Sequence, residues 1–263
     1  MANYETIEFS IENGLATITL NRPERLNAFS NGLRDDILAA VREVAQADSG
    51  ARALLITGKG RAFCAGADLA DGLGGGENRD MGQALINSYH PMLLEISSLN
   101  IPVISAVNGV AAGAGMSLAI SADIVIAARS AYFLQAFVNI GLVPDAGSTY
   151  ILPRLIGAAR AKAIMMTGER VPAEKARDWG MIYDVVDDEE LLPAATALAQ
   201  KLADGPTAAL NGIRQLIASS LKNTYAEQMQ AEALEQRKMG HTSDSREGVL
   251  AFLEKRPTKF LGK

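Results

Sequence analysis

Pro102–Val107 is an almost wholly apolar run that leads into Gly109-Val110-Ala111-Ala112-Gly113-Ala114-Gly115, after which an apolar helical pattern continues to about Ser121. A short strand that is apolar on both faces has to be covered on both faces, which places it in a layered α/β core. The turn that follows is built of small residues. It sets main-chain N–H groups at the start of a helix with no side chain in front of them, an arrangement that receives anions and polarised oxygens.

The rest of the chain is read around this unit. Thr6–Ile11 and Ala16–Leu20 alternate on either side of Glu12-Asn13-Gly14 and predict a β-hairpin. Leu33, Ile37, Val41 and Val44 recur at helical spacing, predicting a helix over Asn31–Ala47. Ala53–Thr57 is a short apolar strand closed by Gly58-Lys59-Gly60, and Asp71–Arg79, with glycine at 72, 74, 75 and 76, has the composition of a mobile loop. A helix is expected over Met81–Ser98, bent near Pro91. Asp123–Ala128 is another buried strand; the stretch to Val186 reads as short helices and turns, including Pro172–Trp179, and Glu189–Lys255 is helical throughout. The prediction is an α/β core of short strand–helix units over residues 1–200 and an all-helical region over 201–263.

With 48% apolar residues in 263, the chain can bury a full-sized core. A net charge of −5 without a basic stripe excludes a dedicated nucleic-acid binder. One cysteine excludes a disulfide framework and any Cys-rich zinc site, and two histidines, His90 and His241, leave almost no material for a metal centre. The first residues are polar, and no run of about 18 apolar residues occurs, so the expectation is a cytoplasmic protein with no membrane partner.

Three segments are candidates for chemistry. In a dinucleotide-binding turn a third glycine would stand where Leu118 is, with an acidic residue about 20 positions on; both are missing, so that reading fails. Gly115-Met116-Ser117-Leu118-Ala119 falls one residue short of a G-x-S-x-G elbow, although Asp145 and His241 follow in hydrolase order. Ser117 lies well inside the predicted helix, where its hydroxyl bonds a preceding carbonyl. Phe63-Cys64-Ala65-Gly66-Ala67-Asp68-Leu69 is a second small-residue turn, in which Asp68 can serve as a helix cap and Cys64 as a packed core thiol. Two such turns would make a two-donor oxyanion hole if they converged, which spacing alone does not show. In Gly141-Leu142-Val143-Pro144-Asp145-Ala146-Gly147 the aspartate is either a turn or N-cap residue, or a base whose pKa is raised by apolar walls.

Taken together, Asn21-Arg22-Pro23, Leu26-Asn27-Ala28, Phe63–Leu69, Ala106–Gly115 and, near the C-terminus, Arg246-Glu247-Gly248 and Phe252–Arg256 resemble the crotonase (enoyl-CoA hydratase/isomerase) superfamily over nearly the whole chain. The resemblance implies a spiral of ββα units with a C-terminal helical trimerisation region, a homotrimer or dimer of trimers, and an acyl-CoA thioester substrate whose CoA is part of the substrate rather than a separate cofactor. It implies that the N–H groups of Ala67 and Ala114 stabilise a thioester enolate. It places CoA and substrate contacts at Arg25, Ala28, Ala65, Asp68, Leu69, Val110, Phe137 and Leu142. Since the protein is net negative, local cations such as Arg22 and Arg25 are expected to steer the anionic CoA.

One departure decides the chemistry implied. Hydratases of the family carry two glutamates, and the matching positions here are Ser117 and Phe137, neither of which moves a proton at neutral pH. Asp145 remains as the single carboxylate, which suits shuttling a proton between two carbons. The segments Asp123–Ala131, Gly141–Asp145 and Trp179–Ile182 resemble the isomerase branch that acts on ring-epoxidised phenylacetyl-CoA, whose relatives also move double bonds in unsaturated acyl-CoAs. The alternatives are a hydratase of other specificity, a 4-chlorobenzoyl-CoA dehalogenase-like enzyme with Asp145 as nucleophile and His90 as base, and a CoA-ester binder without catalysis.

Overall fold

The computed structural model describes residues 4–68 and 80–263. Strands β1 (Ile7–Glu12) and β2 (Leu15–Leu20) pair antiparallel, and the turn between them holds Asn13 and Gly14 at φ 50° and 81°. Two left-handed residues give the turn the twist a tight hairpin needs. Helix α1 (Asn31–Val44) starts at Ser30, whose Oγ accepts the Leu33 N–H at 3.1 Å, and buries Leu33, Ile37, Ala40, Val41 and Val44. It stops three residues before the expected Ala47.

The chain then coils. Strands β3 (Ala53–Gly58) and β4 (Ala62–Cys64) are followed, after the helical residues up to Ser98, by β5 (Val103–Val107) and β6 (Val110–Ala112). Helix α3 (Ala114–Ile120) leads to β7 (Ile124–Ala128) and β8 (Tyr132–Leu134). The first strand of each pair joins one parallel stack, β3-β5-β7, and the second joins another, β4-β6-β8. This is a spiral of ββα units, completed by β9 (Arg170–Pro172) in the four-stranded sheet and β10 (Asp184–Val186) in the six-stranded one.

Strands β4, β6, β8, β9 and β10 correct the sequence reading, which saw only turns and short helices there. Each is three residues long, too short to show alternation, and is held by its neighbours in the sheets. The bend near Pro91 takes the form of a π-helical turn, Leu85–Tyr89, set between a single α-turn (Met81–Ala84) and α2 (His90–Ser98). Pro91 has no N–H to offer the carbonyl four residues back, and the turn before it widens instead of breaking.

Helical segments on either side of Gly157 make up α4 (Ser148–Thr167), and α5 (Ala173–Asp178) follows β9. The C-terminal part is wholly helical: α6 (Leu191–Ala203), α7 (Thr207–Ser220), α8 (Tyr225–Met239) and α9 (Ser243–Glu254). Residue 200 falls within α6, which packs on β3 and β5. The tail is tied back by Asp244, whose carboxylate accepts the N–H groups of Leu261 and Gly262, both at 2.7 Å. The Gly-rich stretch Asp71–Arg79 lies outside the described residues. Among the described residues no helix is long and apolar enough to cross a membrane, and no His/Cys/Asp/Glu cluster could hold a metal.

Candidate active site

The two small-residue turns meet. Parallel pairing sets Cys64 of β4 beside Ala111 of β6, so the turns leaving these strands emerge together. A Cβ on Gly113 would lie 3.9 Å from the Gly66 Cα, and both glycines have positive φ, 94° at Gly66 and 52° at Gly113. The residues that follow them, Ala67 and Ala114, therefore stand at neighbouring positions. Phe29 brackets the first turn: its N–H donates to the Gly66 carbonyl at 2.8 Å and its carbonyl accepts the Asp68 N–H at 3.0 Å. That pairing bypasses the Ala67 N–H. Ala114 opens α3, where the first N–H groups have no partner within the helix. Among the described residues neither N–H donates to a main-chain carbonyl. Two neighbouring free donors are what a developing oxyanion requires.

Asp145 follows the 3₁₀ turn Ala136–Ile140. Its Oδ1 is buried and has no hydrogen-bond partner among the described residues. Burial raises the carboxyl from 3.8 to about 6, because desolvation disfavours the charged form. The N-cap of α4 is Gly147 and no side chain caps that helix, so Asp145 does not cap α4. Its main-chain carbonyl, in contrast, is held from three directions: by Ser117 Oγ at 3.2 Å, Ser148 Oγ at 3.0 Å and the Ser148 N–H at 3.1 Å.

Ser117 is fully buried in α3, and its hydroxyl lies 3.3 Å from the Gly113 carbonyl, as a mid-helix serine should. The second acceptor, on the Asp145 loop, has no trace in the local sequence. Phe137 is buried with its ring tip against the Gly113 turn, 3.7 Å from where a Gly113 Cβ would be. Sequence reading also missed Tyr89 and Arg34. Tyr89 is buried edge-on to Phe29, with the Arg34 guanidinium 4.4 Å from its ring centre. Burial raises its phenol pKa against the opposing pull of the Arg34 guanidinium, and the Asp145 charge contributes to the rise. His90, next in the chain, is exposed and lines an outer cleft of about 730 Å³ with Ala146, Gly147 and Tyr150; Asp145 does not line it.

Around the first turn, Ala28 is buried, Ala65 half-buried, and Asp68 pairs with Arg22 at 3.2 Å. Arg22 also donates to the Ala28 carbonyl at 2.5 Å. Its guanidinium is thus spent within the chain, which corrects the expectation that it is available to steer an anion. Arg25, on the neighbouring 3₁₀ turn, is exposed. Val110 is half-buried at the start of β6, and Leu142 is exposed, with its N–H bonded to the Phe137 carbonyl at 3.0 Å. Leu69 lies outside the described residues. Cys64 is a fully buried core thiol whose pKa burial raises to about 12, leaving it unreactive.

Residues 10–263 match the sequence pattern of the enoyl-CoA hydratase/isomerase family. The chain is 47% identical to the 1,2-epoxyphenylacetyl-CoA isomerase of Escherichia coli K12 over 261 residues, covering 98% of this chain and 99% of the other. It is 46% identical to a protein of Rhodobacter capsulatus named "Probable enoyl-CoA hydratase", covering 99% and 100%. A crystal structure of the enoyl-CoA hydratase from Bacillus anthracis superposes with a TM-score of 0.92 at 31% identity, over 98% of this chain and all of that one.

Proposed function

The chain belongs to the enoyl-CoA hydratase/isomerase family, and from that premise we propose that it is an acyl-CoA isomerase that moves a proton between two carbons of an enolised thioester. Members of the family act on acyl-CoA thioesters. The observation that carries the proposal is Asp145: a buried carboxyl oxygen with no hydrogen-bond partner among the described residues, its pKa raised to about 6, on a loop bonded to the helix that Ala114 opens. A base of that strength takes a carbon-bound proton near neutral pH once the conjugate charge has somewhere to go.

In the reaction proposed, Asp145 removes a proton from the acyl chain beside the thioester. The electron pair moves to the thioester oxygen, where the Ala67 and Ala114 N–H groups hold the charge. The protonated Asp145 then returns the proton to a different carbon, so atoms and charge balance without a separate cofactor. CoA would lie along Arg25, Ala28, Ala65, Asp68 and Leu69, with Val110, Phe137 and Leu142 nearer the acyl group. The 47% relative supports a ring-epoxidised phenylacetyl-CoA as substrate, and the same machinery suits double-bond isomerisation in unsaturated acyl-CoAs. Exposed apolar side chains on the C-terminal helices, among them Ile213, Ile217, Val249 and Phe252, support their assignment to contacts within a trimer or dimer of trimers.

Hydration is the second reading, favoured by the 46% relative's name. Against it stand Ser117 and Phe137, which leave water without a second acid or base. A dehalogenase would want a donor for the departing halide, and Phe137 has none. The test is a panel of thioesters with purified protein: ring-epoxide and unsaturated isomers, crotonyl-CoA and a halobenzoyl-CoA. Isomer interconversion with little hydration and no halide release is expected. Hydration of crotonyl-CoA at roughly tens of turnovers per second would overturn the reading, and tight analogue binding without turnover would make the protein a binder.

A further inference from the structure

We propose that Ser117 is a positioning residue whose single hydroxyl couples the two halves of the site, the peptide that carries the Ala114 N–H and the loop that carries Asp145. The inference rests on the isomerase reading given above and deepens it. Its geometrical basis is one buried oxygen between two carbonyls, 3.3 Å from that of Gly113 and 3.2 Å from that of Asp145. A hydroxyl has one proton, so the two acceptors share it.

Each acceptor belongs to a working part. The Gly113 carbonyl and the Ala114 N–H are the two ends of one planar peptide unit. A hydrogen bond at its oxygen fixes the direction of its N–H and polarises it further. The Ser117 N–H reaches the same oxygen at 3.1 Å, so the peptide is held at its carbonyl end and free at its N–H end.

At the other acceptor, Asp145 Oδ1 has no hydrogen-bond partner among the described residues, so its direction is set by its main chain and by packing. That main chain is not relaxed. Ala146, the next residue, has φ 52°, a left-handed conformation that a residue with a Cβ adopts only when its surroundings hold it there. Ser148 grips the Asp145 carbonyl from α4, and Ser117 grips it from α3. Among the described residues, only the Ser117 bond ties the loop to the helix that Ala114 opens. A helix back-bond would explain the Gly113 contact but not the second one.

The experiment compares Ser117→Ala with Ser105→Ala and Asp145→Asn in the full-length protein, measuring kcat, KM and the pH dependence of kcat/KM for the isomerisation. Ser105 is a useful control because its hydroxyl, in β5, is also fully buried and makes no hydrogen bond among the described residues. Ser117→Ala should lower kcat by about ten- to a hundredfold with KM within about twofold, the effect of a slightly misplaced base and donor. Its acid limb should move down from about 6 toward the ordinary carboxylate range, as a loosened loop lets water reach Asp145. Ser105→Ala should match the parent in both. Ser117→Thr keeps the hydroxyl and should retain the parent's acid limb. If Ser117→Ala matches Ser105→Ala in kcat and acid limb while Asp145→Asn is inactive, the coupling role falls and the isomerase reading stands. If Asp145→Asn retains full rate, the reading of Asp145 falls, and the inference with it.

Discussion

Gly66 and Gly113 stand back to back across the two turns of the site: a Cβ on Gly66 would come within 3.6 Å of the Gly113 Cα and 2.9 Å of the Ala112 carbonyl oxygen. Gly66 has no room for a side chain there, and both residues have a positive φ that suits glycine. Gly66→Ala should destabilise the fold by about 1–3 kcal/mol through backbone strain. It should also displace the Ala67 N–H and lower turnover by about a hundredfold. Denaturant unfolding and steady-state rates on the same preparation would measure both. A stable Gly66→Ala protein with normal turnover would mean that the two turns do not act as a pair.

The second donor can be deleted cleanly. Ala114 is the first residue of α3, a position that favours proline because its N–H has no intrahelical partner and proline's fixed φ suits the helix start. Ala114→Pro should therefore fold, keep its far-UV spectrum, and lose about a hundredfold in kcat, equivalent to about 3 kcal/mol of barrier. Near-parental kcat in a folded Ala114→Pro protein would remove Ala114 from the proposed hole.

What the sequence disclosed depended on the length of each signal. The hairpin and α1 were legible from their periodicity, and β3, β5 and β7 from continuous apolar runs of about five residues. The three-residue strands β4, β6, β8, β9 and β10 carry no period and exist because neighbouring strands offer them hydrogen bonds. At the site, local sequence identified Gly66, Gly113 and Asp145, since glycine clusters and an aspartate among apolar residues are visible at short range. The contact of Ser117 with the Asp145 carbonyl spans 28 residues, and that between Phe29 and the Asp68 turn nearly forty, so neither leaves a local pattern. Tyr89 was overlooked for a similar reason: it sits in a helix whose other residues explain the apolar period without it.

Asp145 should also be visible in stability. Its folded pKa, about 6, is above its unfolded value near 3.8, so the protonated carboxyl is favoured in the folded state. The stability this contributes is fully present below about pH 4 and is lost as pH rises through 6. Two units correspond to roughly 3 kcal/mol, and partial exposure reduces the penalty to about 1–2 kcal/mol. Asparagine has no such titration. The difference in unfolding free energy between Asp145→Asn and the parent should therefore move by about 1–2 kcal/mol in favour of the variant between pH 4 and pH 8. A difference that is flat with pH would mean that Asp145 is solvated in the folded protein.

The same substitution tests the mechanism through rate. Asp145 acts as a base only when ionised, so kcat/KM should rise with pH through an apparent pKa near 6 and then level off. Asparagine keeps the size of the side chain but cannot accept a proton at any working pH. Turnover of Asp145→Asn should fall by about a hundred- to ten-thousandfold, the range for loss of a positioned general base, and the limb at 6 should vanish from the residual rate. Binding of a thioester analogue should hardly change, because the proposed CoA contacts and both N–H donors remain. Two other roles for Asp145 give different results. A turn residue would leave rate and limb intact. A nucleophile attacking the halogen-bearing ring carbon of a halobenzoyl-CoA would expel the halide and leave a transient aryl ester on Asp145, detectable by mass after a single turnover. Loss of rate together with the limb, with affinity kept and no covalent ester formed by the parent, is the pattern expected of the proton shuttle.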